Sequence, residues 1–132
     1  MREAYLGLRR QWSEVLRQFD LSLSEIGVLD LCAGAPAKVS GVARAVGLTP
    51  AGGTDVIDRL ERRQLVRRVP HSVDRRVVHV RLTPAGLRLH REARSARRDV
   101  LHDVGRAMTE DERRALAVGL EGLLGAMRRR GR

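Results

Sequence analysis

The chain has 132 residues, of which 42% are hydrophobic and only 2% aromatic, and its formal net charge is +10. That length fits one domain with a buried core, and the hydrophobic share excludes a disordered chain. The three aromatic residues all precede Asp20, so the core is expected to consist of Leu, Val and Ala packed between helices. The positive charge favours a polyanion as partner, because neutralising phosphates releases condensed counterions.

Several features that the sequence lacks limit where the protein is expected to be located and what chemistry it is expected to perform. There is no run of 18 apolar residues and no signal peptide, which predicts a cytoplasmic protein without a membrane partner. The single cysteine, Cys32, lies among apolar residues and is expected to be buried and inert rather than a redox sensor. The four histidines lack metal-ligand spacing, and no nucleophile–base set stands out. We therefore expect no metal, no cofactor and no enzymatic activity.

Two helices are predicted at the start of the chain. Apolar side chains recur at spacings of three and four over residues 2–19, which indicates one amphipathic helix. Its stripe consists of Tyr5, Leu8, Trp12, Val15 and Phe19. Ser22 and Glu25 then form a capping box for a central apolar helix over residues 23–32, which the Gly34-Ala35-Pro36 segment ends.

A helix-turn-helix is predicted next. Ser40 can cap a short helix, Gly47 supplies a left-handed stop, and Thr49-Pro50 begins another helix after a three-residue turn. On this second helix Gly53, Val56, Ile57 and Leu60 cluster on one side, where Gly53 permits close packing. The other side carries Ala51, Thr54, Asp55, Asp58 and Arg62, with Arg59 at the flank.

A basic hairpin follows the helix-turn-helix. Alternating residues predict strands over 65–70 and 76–82, joined by a polar tip at residues 71–75. At the tip, Asp74 is expected to brace Arg76 or the turn. Arg62, Arg63, Arg67 and Arg68 are interpreted as solvated surface. A helix-turn-helix followed by such a hairpin is a winged helix, and the combination is a stronger signal than either part.

The rest of the chain is predicted to be helical. A long helix begins at Thr83 with a heptad-like seam and is interrupted at Gly105, and Thr109 and Glu112 form a second capping box. The last helix carries one narrow stripe, Leu116, Leu120, Leu123 and Met127. This stripe can pair within one subunit, or with a second subunit whose terminal helices interleave. We favour the second arrangement.

The residues from Ile57 to Arg68, then Asp74-Arg75-Arg76, then Leu82 to Gly86 resemble the MarR family of bacterial transcriptional regulators in order and spacing. Two positions depart from the pattern. Gln64 lies where the family usually has glycine, so the helix must end there without the residue that best tolerates a left-handed backbone. Asp55 is acidic at a groove-facing place where many relatives are neutral or basic.

The resemblance implies a mostly α fold with a small β-hairpin wing. It is a winged helix-turn-helix with N- and C-terminal dimerisation helices. We expect a single domain over 1–132, divided into dimer-side helices (1–36), the winged helix-turn-helix (37–83) and C-terminal dimerisation helices (84–132). The implied function is a homodimeric regulator, a repressor that binds a pseudo-palindromic operator in double-stranded DNA. The alternatives are a non-specific architectural DNA binder and a winged-helix protein-interaction module.

The predicted DNA contacts lie on the helix-turn-helix and the wing. They are Ser40, Thr49, Ala51, Thr54, Asp55, Arg59, Arg75 and Arg76. Thr49 suits phosphate at a helix N-terminus, Thr54 and Asp55 can reach base edges, and the wing arginines suit a narrow minor groove.

A ligand cavity is the remaining prediction. In the resembled family an aromatic anion often binds between the dimer helices and the DNA-binding lobe and releases DNA. The side chains that can line such a cavity here are Tyr5, Trp12, Ile26 and Leu29. The same residues can equally be plain core or dimer interface, and in that case no small aromatic effector is needed.

Overall fold

The fold is that of a computed structural model, which describes residues 2–130. Met1, Gly131 and Arg132, at the two ends of the predicted 1–132 domain, lie outside the described residues. The elements in chain order are α1 (Arg2–Arg17), α2 (Leu23–Gly34), β1 (Ala37–Lys38), α3 (Val39–Ala45), α4 (Pro50–Arg62), β2 (Val66–Pro70), β3 (Val78–Leu82), α5 (Pro84–Ala107) and α6 (Glu110–Arg130). No helix among these is long and apolar enough to span a bilayer.

The chain divides into two compact units, one up to Arg97 and one from Arg98 onward. Helix α5 crosses the boundary, and α6 belongs wholly to the second unit. The mostly helical winged fold predicted from the sequence is confirmed. The predicted division of one domain at residues 36 and 83 remains a prediction.

The core of the first unit is aliphatic, as the composition predicted. It gathers residues from α1, α2, α3, α4, both hairpin strands and α5, and its fully buried side chains include Leu16, Val28, Leu29, Val42, Leu60 and Val80. On α1 the stripe prediction was partly wrong. Leu16 is the buried residue of that helix, while Tyr5 is exposed.

The wing is a three-stranded antiparallel sheet in the order β1-β3-β2. The two predicted strands pair with Val66 opposite Leu82 and Pro70 opposite Val78. The short β1 strand was not predicted, because two residues are too few to show an alternating pattern. It adds Lys38 opposite His79, so the chain's single lysine lies on the same face of the sheet as that histidine.

Several predicted helix ends are confirmed. Ser22 Oγ accepts from the Glu25 N–H at 3.1 Å while Glu25 Oε2 accepts from the Ser22 N–H at 2.8 Å, which completes the capping box. Gly47 has a φ of 71° and Gln64 a φ of 57°. The helix before the wing therefore ends in a left-handed residue without glycine, at some cost in backbone energy.

Two predicted helix boundaries were wrong. Helix α3 begins at Val39 after Lys38, so Ser40 lies inside its first turn and does not cap it. Helix α5 continues through Gly105 to Ala107. A glycine inside a helix costs about 1 kcal/mol, which the longer helix tolerates.

The segment from Leu82 to Gly86 approaches the backbone of Leu65 closely. Thr83 Oγ1 accepts from the Gly86 N–H at 3.0 Å and donates to the Gln64 carbonyl at 2.6 Å. A Cβ on Gly86 would lie 1.9 Å from the Leu65 carbonyl oxygen. The start of α5 is thereby fixed against the junction of α4 and β2, and only glycine fits there.

Candidate nucleic-acid interface

Helix α4 has one exposed face that carries short side chains. Thr49 caps it by accepting from the Gly52 N–H at 3.1 Å, and Pro50 occupies the first helical position. Val56, Ile57 and Leu60 are buried as predicted. Ala51, Thr54 and Asp55 are all exposed on the opposite face. A helix with such short outward side chains can approach the floor of a major groove closely.

The packing of α4 against α3 explains one of its glycines. A Cβ on Gly53 would lie 2.6 Å from the Ala43 Cβ and 3.0 Å from its Cα. The close helix–helix approach predicted for Gly53 is therefore confirmed. Gly52 would also be crowded, with its Cβ 3.2 Å from Thr49 Oγ1, so alanine there would press on the capping hydroxyl.

Arg59, predicted to contact DNA, already has an acidic neighbour. Its Nε lies 3.5 Å from Glu25 Oε1, and half of its side chain remains exposed. Glu25 itself is buried and is also the capping residue of α2. One carboxylate therefore links the start of α2 to the flank of α4, a connection that sequence spacing could not reveal across 34 positions.

The wing tip is held by local hydrogen bonds. Asp74 Oδ1 accepts from the Arg76 N–H at 3.0 Å, and the two side chains lie 3.9 Å apart, which confirms the predicted brace. His71 Nδ1 accepts from the Val73 and Asp74 N–H groups at 3.3 and 3.4 Å. The Arg76 side chain is 96% exposed and Arg75 is exposed beside it. The turn is therefore braced while both of its arginine side chains remain exposed to solvent.

Two arginines that were interpreted as solvated surface have structural roles. Arg68 forms ion pairs with Asp58, at 2.6 Å, and with Glu61, and its N–H donates to Glu61 at 2.9 Å. Partial burial alone would lower the pKa of the Arg68 guanidinium, but the hydrogen bonds to these two acids raise it. Arg63 donates to the carbonyls of Phe19 and Asp20 at 3.3 and 2.6 Å. These contacts fasten α4 to the wing and to the end of α1.

The remaining predicted DNA contacts lie on two helices, α4 and α3. Thr49, Ala51, Thr54 and Asp55 lie together on the first turns of α4, and Ser40 is exposed on α3. Asp58, on the same helix, is held by Arg68 and is not free for another partner. Whether these residues touch DNA remains a prediction.

The predicted ligand-cavity residues separate into two groups. Tyr5 and Trp12 line an open groove of about 460 Å³ together with Leu8, Leu23, Val46 and Leu48. Ile26 and Leu29 are buried in the core and do not line that groove. A binding role for the groove remains a prediction. Ile26 and Leu29 would contribute to it only as core residues, without contacting a ligand.

A polar cluster near Trp12 was missed by the sequence reasoning. Asp30 accepts from both guanidinium nitrogens of Arg97, at 2.9 and 2.8 Å, and lies 2.9 Å from His90 Nε2. His90 is buried. The Arg97 guanidinium lies 6.0 Å from the Trp12 ring centroid. The spacing of seven between His90 and Arg97 places both on one face of α5 and could have indicated a shared partner.

Cys32 is buried and unpaired among the described residues, as predicted. Burial raises the pKa of its thiol, although a hydrogen bond with the Ala37 backbone acts in the opposite direction. A thiol with a raised pKa is a poor nucleophile at neutral pH. This supports the interpretation of Cys32 as inert.

Comparison with known proteins points in one direction. The family profile described as MarR family matches residues 19–77. Over 59 residues the chain is 41% identical to the uncharacterized HTH-type transcriptional regulator YsmB of Bacillus subtilis, which is 45% of this chain and 40% of that protein. The match therefore spans less than half the length of this relative.

Solved structures match along nearly the whole chain. The transcriptional regulator BldR of Sulfolobus solfataricus is 27% identical, with a TM-score of 0.78, over 95% of this chain and 89% of that one. A MarR family protein from Bacillus stearothermophilus has a TM-score of 0.85 at 24% identity, over 96% and 89% of the two chains. Wild-type MarR from E. coli has a TM-score of 0.84 at 22% identity, over 93% of each chain. The last two likenesses concern the fold.

Proposed function

We propose that the chain is a member of the MarR family, whose profile matches residues 19–77, and that it is a DNA-binding transcriptional regulator that represses genes from a pseudo-palindromic operator. The observation that carries this proposal is the exposed face of short side chains on α4, together with a wing whose two tip arginines are exposed. The chain's charge of +10 supplies the sequence-independent part of the affinity.

Each part of this surface has a distinct role in the proposal. Thr54 and Asp55 read base edges in the major groove, where the Asp55 carboxylate can accept from cytosine N4. Asp55 also repels phosphate, so its contribution is to selectivity rather than to affinity. Arg75 and Arg76 enter the adjacent minor groove. Arg59 contacts a phosphate and must share its guanidinium with Glu25, or release it, when DNA is bound.

The proposed active form is a homodimer. On α6 the stripe of Leu116, Leu120, Leu123 and Met127 is exposed, and so are Tyr5 and Leu6 on α1. Apolar stripes at helical spacing that stay exposed in one copy are expected to be covered in an assembly. A two-fold dimer would present two copies of α4 to half-sites about one helical turn apart.

A small aromatic effector is the least constrained part of the proposal. The groove beside Tyr5 and Trp12 has a volume within the usual range for small-ligand sites, which is about 300–1,000 Å³. Titration with salicylate should quench Trp12 fluorescence saturably if this groove binds aromatic anions. An absence of saturable quenching across a broad panel of aromatic carboxylates would favour regulation without such an effector.

The wing and the groove-facing helix can be tested separately by fluorescence anisotropy with operator and random duplexes at two salt concentrations. Arg76→Ala should weaken binding to every sequence and reduce the magnitude of the salt slope by about 1, as the loss of one phosphate-side contact does. Thr54→Ala should change the ranking of operator variants by about 1–3 kcal/mol at one base pair. Arg91→Ala, an exposed change on α5, is the matched control.

Each outcome is decisive for one part of the proposal. Unchanged affinity for Arg76→Ala would remove the wing from the interface. Equal affinity of the wild-type protein for operator and random DNA would favour an architectural DNA binder, and no DNA binding at all would favour a protein-interaction module. Footprinting of the DNA upstream of the protein's own gene supplies the first operator candidate.

A further inference from the structure

Two arginines face each other on the outer side of the wing sheet. The register of β2 and β3 places Arg67 directly opposite Arg81. Neither side chain makes a hydrogen bond or ion pair within residues 2–130. Like charges directly opposite on a sheet are destabilising. The next residue, Arg68, points to the other face and has two acids, Asp58 and Glu61. Among the described residues, carboxylates pair with Arg68 and none pairs with Arg67 or Arg81.

An aliphatic groove of about 500 Å³ adjoins this pair. It runs between the end of α2, the strands and the start of α5, and both arginines line it. Its apolar wall includes Pro36, Leu82, Pro84 and Leu87, with Cys32 behind them. The positive end of the α5 dipole lies at its rim, next to Thr83. Three sources of positive potential therefore meet at the mouth of an apolar groove.

We propose that this groove binds an aliphatic carboxylate, of the class of medium-chain fatty acids. The carboxylate would bridge the Arg67 and Arg81 guanidinium groups through charge-assisted hydrogen bonds and relieve their repulsion. The alkyl chain would lie along the proline and leucine wall. None of the chain's three aromatic residues lines the groove, so the site has no stacking partner for a ring. The volume is within the range of small-ligand sites.

DNA held by the wing tip is a poor candidate for the same arginines. Arg67 and Arg81 each lie three residues inside the tip-proximal ends of their strands, Pro70 and Val78. At about 3.3 Å per residue, they lie about 10 Å along the strands from those ends. A duplex held at Arg75 and Arg76 therefore need not contact them. The inference is independent of the proposed DNA-binding function.

The test is a calorimetric titration of the full-length protein with hexanoate, octanoate and decanoate in the absence of DNA. Affinity should rise with chain length, by up to about fourfold for each methylene that the groove buries. Arg67→Gln and Arg81→Gln should each weaken decanoate binding at least tenfold, whereas Arg91→Gln should not. Salicylate should bind the groove more weakly than decanoate.

Cys32 gives a second, independent readout. Labelling of this buried thiol by a thiol reagent should be slow. Because Cys32 lies at the groove, bound decanoate should slow the labelling further, and this added protection should disappear in Arg67→Gln. Circular dichroism checks that the exposed arginine variants are folded. The inference is overturned if decanoate shows no saturable binding, if both arginine variants bind it as the wild type does, or if salicylate competes at this site with higher affinity.

Discussion

The two units of the chain use the same residue types at the same helical spacing, with opposite results. In the first unit, Leu16 and Leu60 are completely buried. In the second, Leu116 and Leu120 are each 49% exposed, and no described residue from Arg98 onward is buried. The difference lies in what surrounds each stripe. The first unit has a sheet and several helices around one core, whereas the second has only helix.

This contrast shows that a sequence pattern does not reveal which part of an assembly will cover an apolar helix face. An apolar stripe indicates that a helix face will be covered, but not by what. The first unit buries most of its apolar stripes internally, apart from residues such as Tyr5 and Leu6 on α1, and is expected to be stable by itself. The second unit is expected to gain most of its stability from a second copy of the chain. Substitutions in the two units should therefore affect different measurements.

The largest effect is expected from Gly86→Ala. The new Cβ would lie 1.9 Å from the Leu65 carbonyl oxygen and 2.8 Å from the carbonyl carbon, and backbone atoms of a strand junction cannot move aside without cost. We expect a loss of about 3 kcal/mol or more in the free energy of unfolding, or no folded protein. Urea denaturation followed by circular dichroism measures it.

Gly105→Ala is the matched control for this substitution. It lies on the same helix but in the second unit, where a Cβ would meet nothing within 4 Å. Replacing a helical glycine by alanine should raise helix stability by up to about 1 kcal/mol. Equal stability losses for the two variants would contradict the interpretation that the start of α5 is tightly packed and its end is not.

The second prediction concerns assembly. Leu120→Asp places a charge in the middle of the α6 stripe and should convert the proposed dimer to a monomer, with at least a hundredfold weaker self-association by sedimentation equilibrium. The first unit should keep its unfolding midpoint. Val118→Asp is the control, because at 100° per residue Val118 lies on the opposite side of α6 from the stripe. A dimer that survives Leu120→Asp would exclude this stripe from the interface.

The third prediction compares the two capping boxes. In the first unit Ser22 and Glu25 bond reciprocally, and in the second Thr109 and Glu112 do the same at 3.3 and 2.7 Å. Ser22→Ala should lower the global stability of the first unit by about 1 kcal/mol. Thr109→Ala should mainly increase hydrogen exchange in the first turn of α6. Global destabilisation by both variants would show that the two units unfold together.

The sequence predicted features that depend on neighbouring residues but not contacts between distant residues. Local rules identified the Ser22 and Thr109 caps, the left-handed Gly47 and the wing strands, because each depends on neighbouring residues. The left-handed Gln64 was inferred from the family resemblance. The rules failed where distant residues meet. Arg63 and Arg68 were interpreted as surface residues and His90 had no predicted partner, yet their partners lie 7 to 60 positions away. The Arg67–Arg81 pair required the strand register.

The candidate site was predictable to a similar degree. Helical period placed Ala51, Thr54 and Asp55 on the exposed face of α4, and the turn pattern placed Asp74 beside Arg76. The link from Glu25 to Arg59 could not be predicted, since Glu25 was already explained as a capping residue. Ile26 and Leu29 were assigned to a cavity because an apolar residue in sequence does not reveal whether it faces a void or the core.

The smallest expected effect is a pH dependence confined to the second unit. Hydrogen bonds to Glu112 from the Thr109 N–H and hydroxyl lower the pKa of its carboxyl. A carboxyl whose pKa is lower in the folded state stabilises that state above its unfolded pKa, about 4.3, and this contribution is lost as pH falls through the folded value. Hydrogen exchange at the start of α6 should therefore accelerate below about pH 4 relative to the rest of that helix. Glu112→Gln should remove the pH dependence, while Glu121→Gln, on the same helix beyond the capping box, should preserve it. An unchanged exchange profile across this pH range would mean that the α6 cap contributes nothing to the stability of its helix.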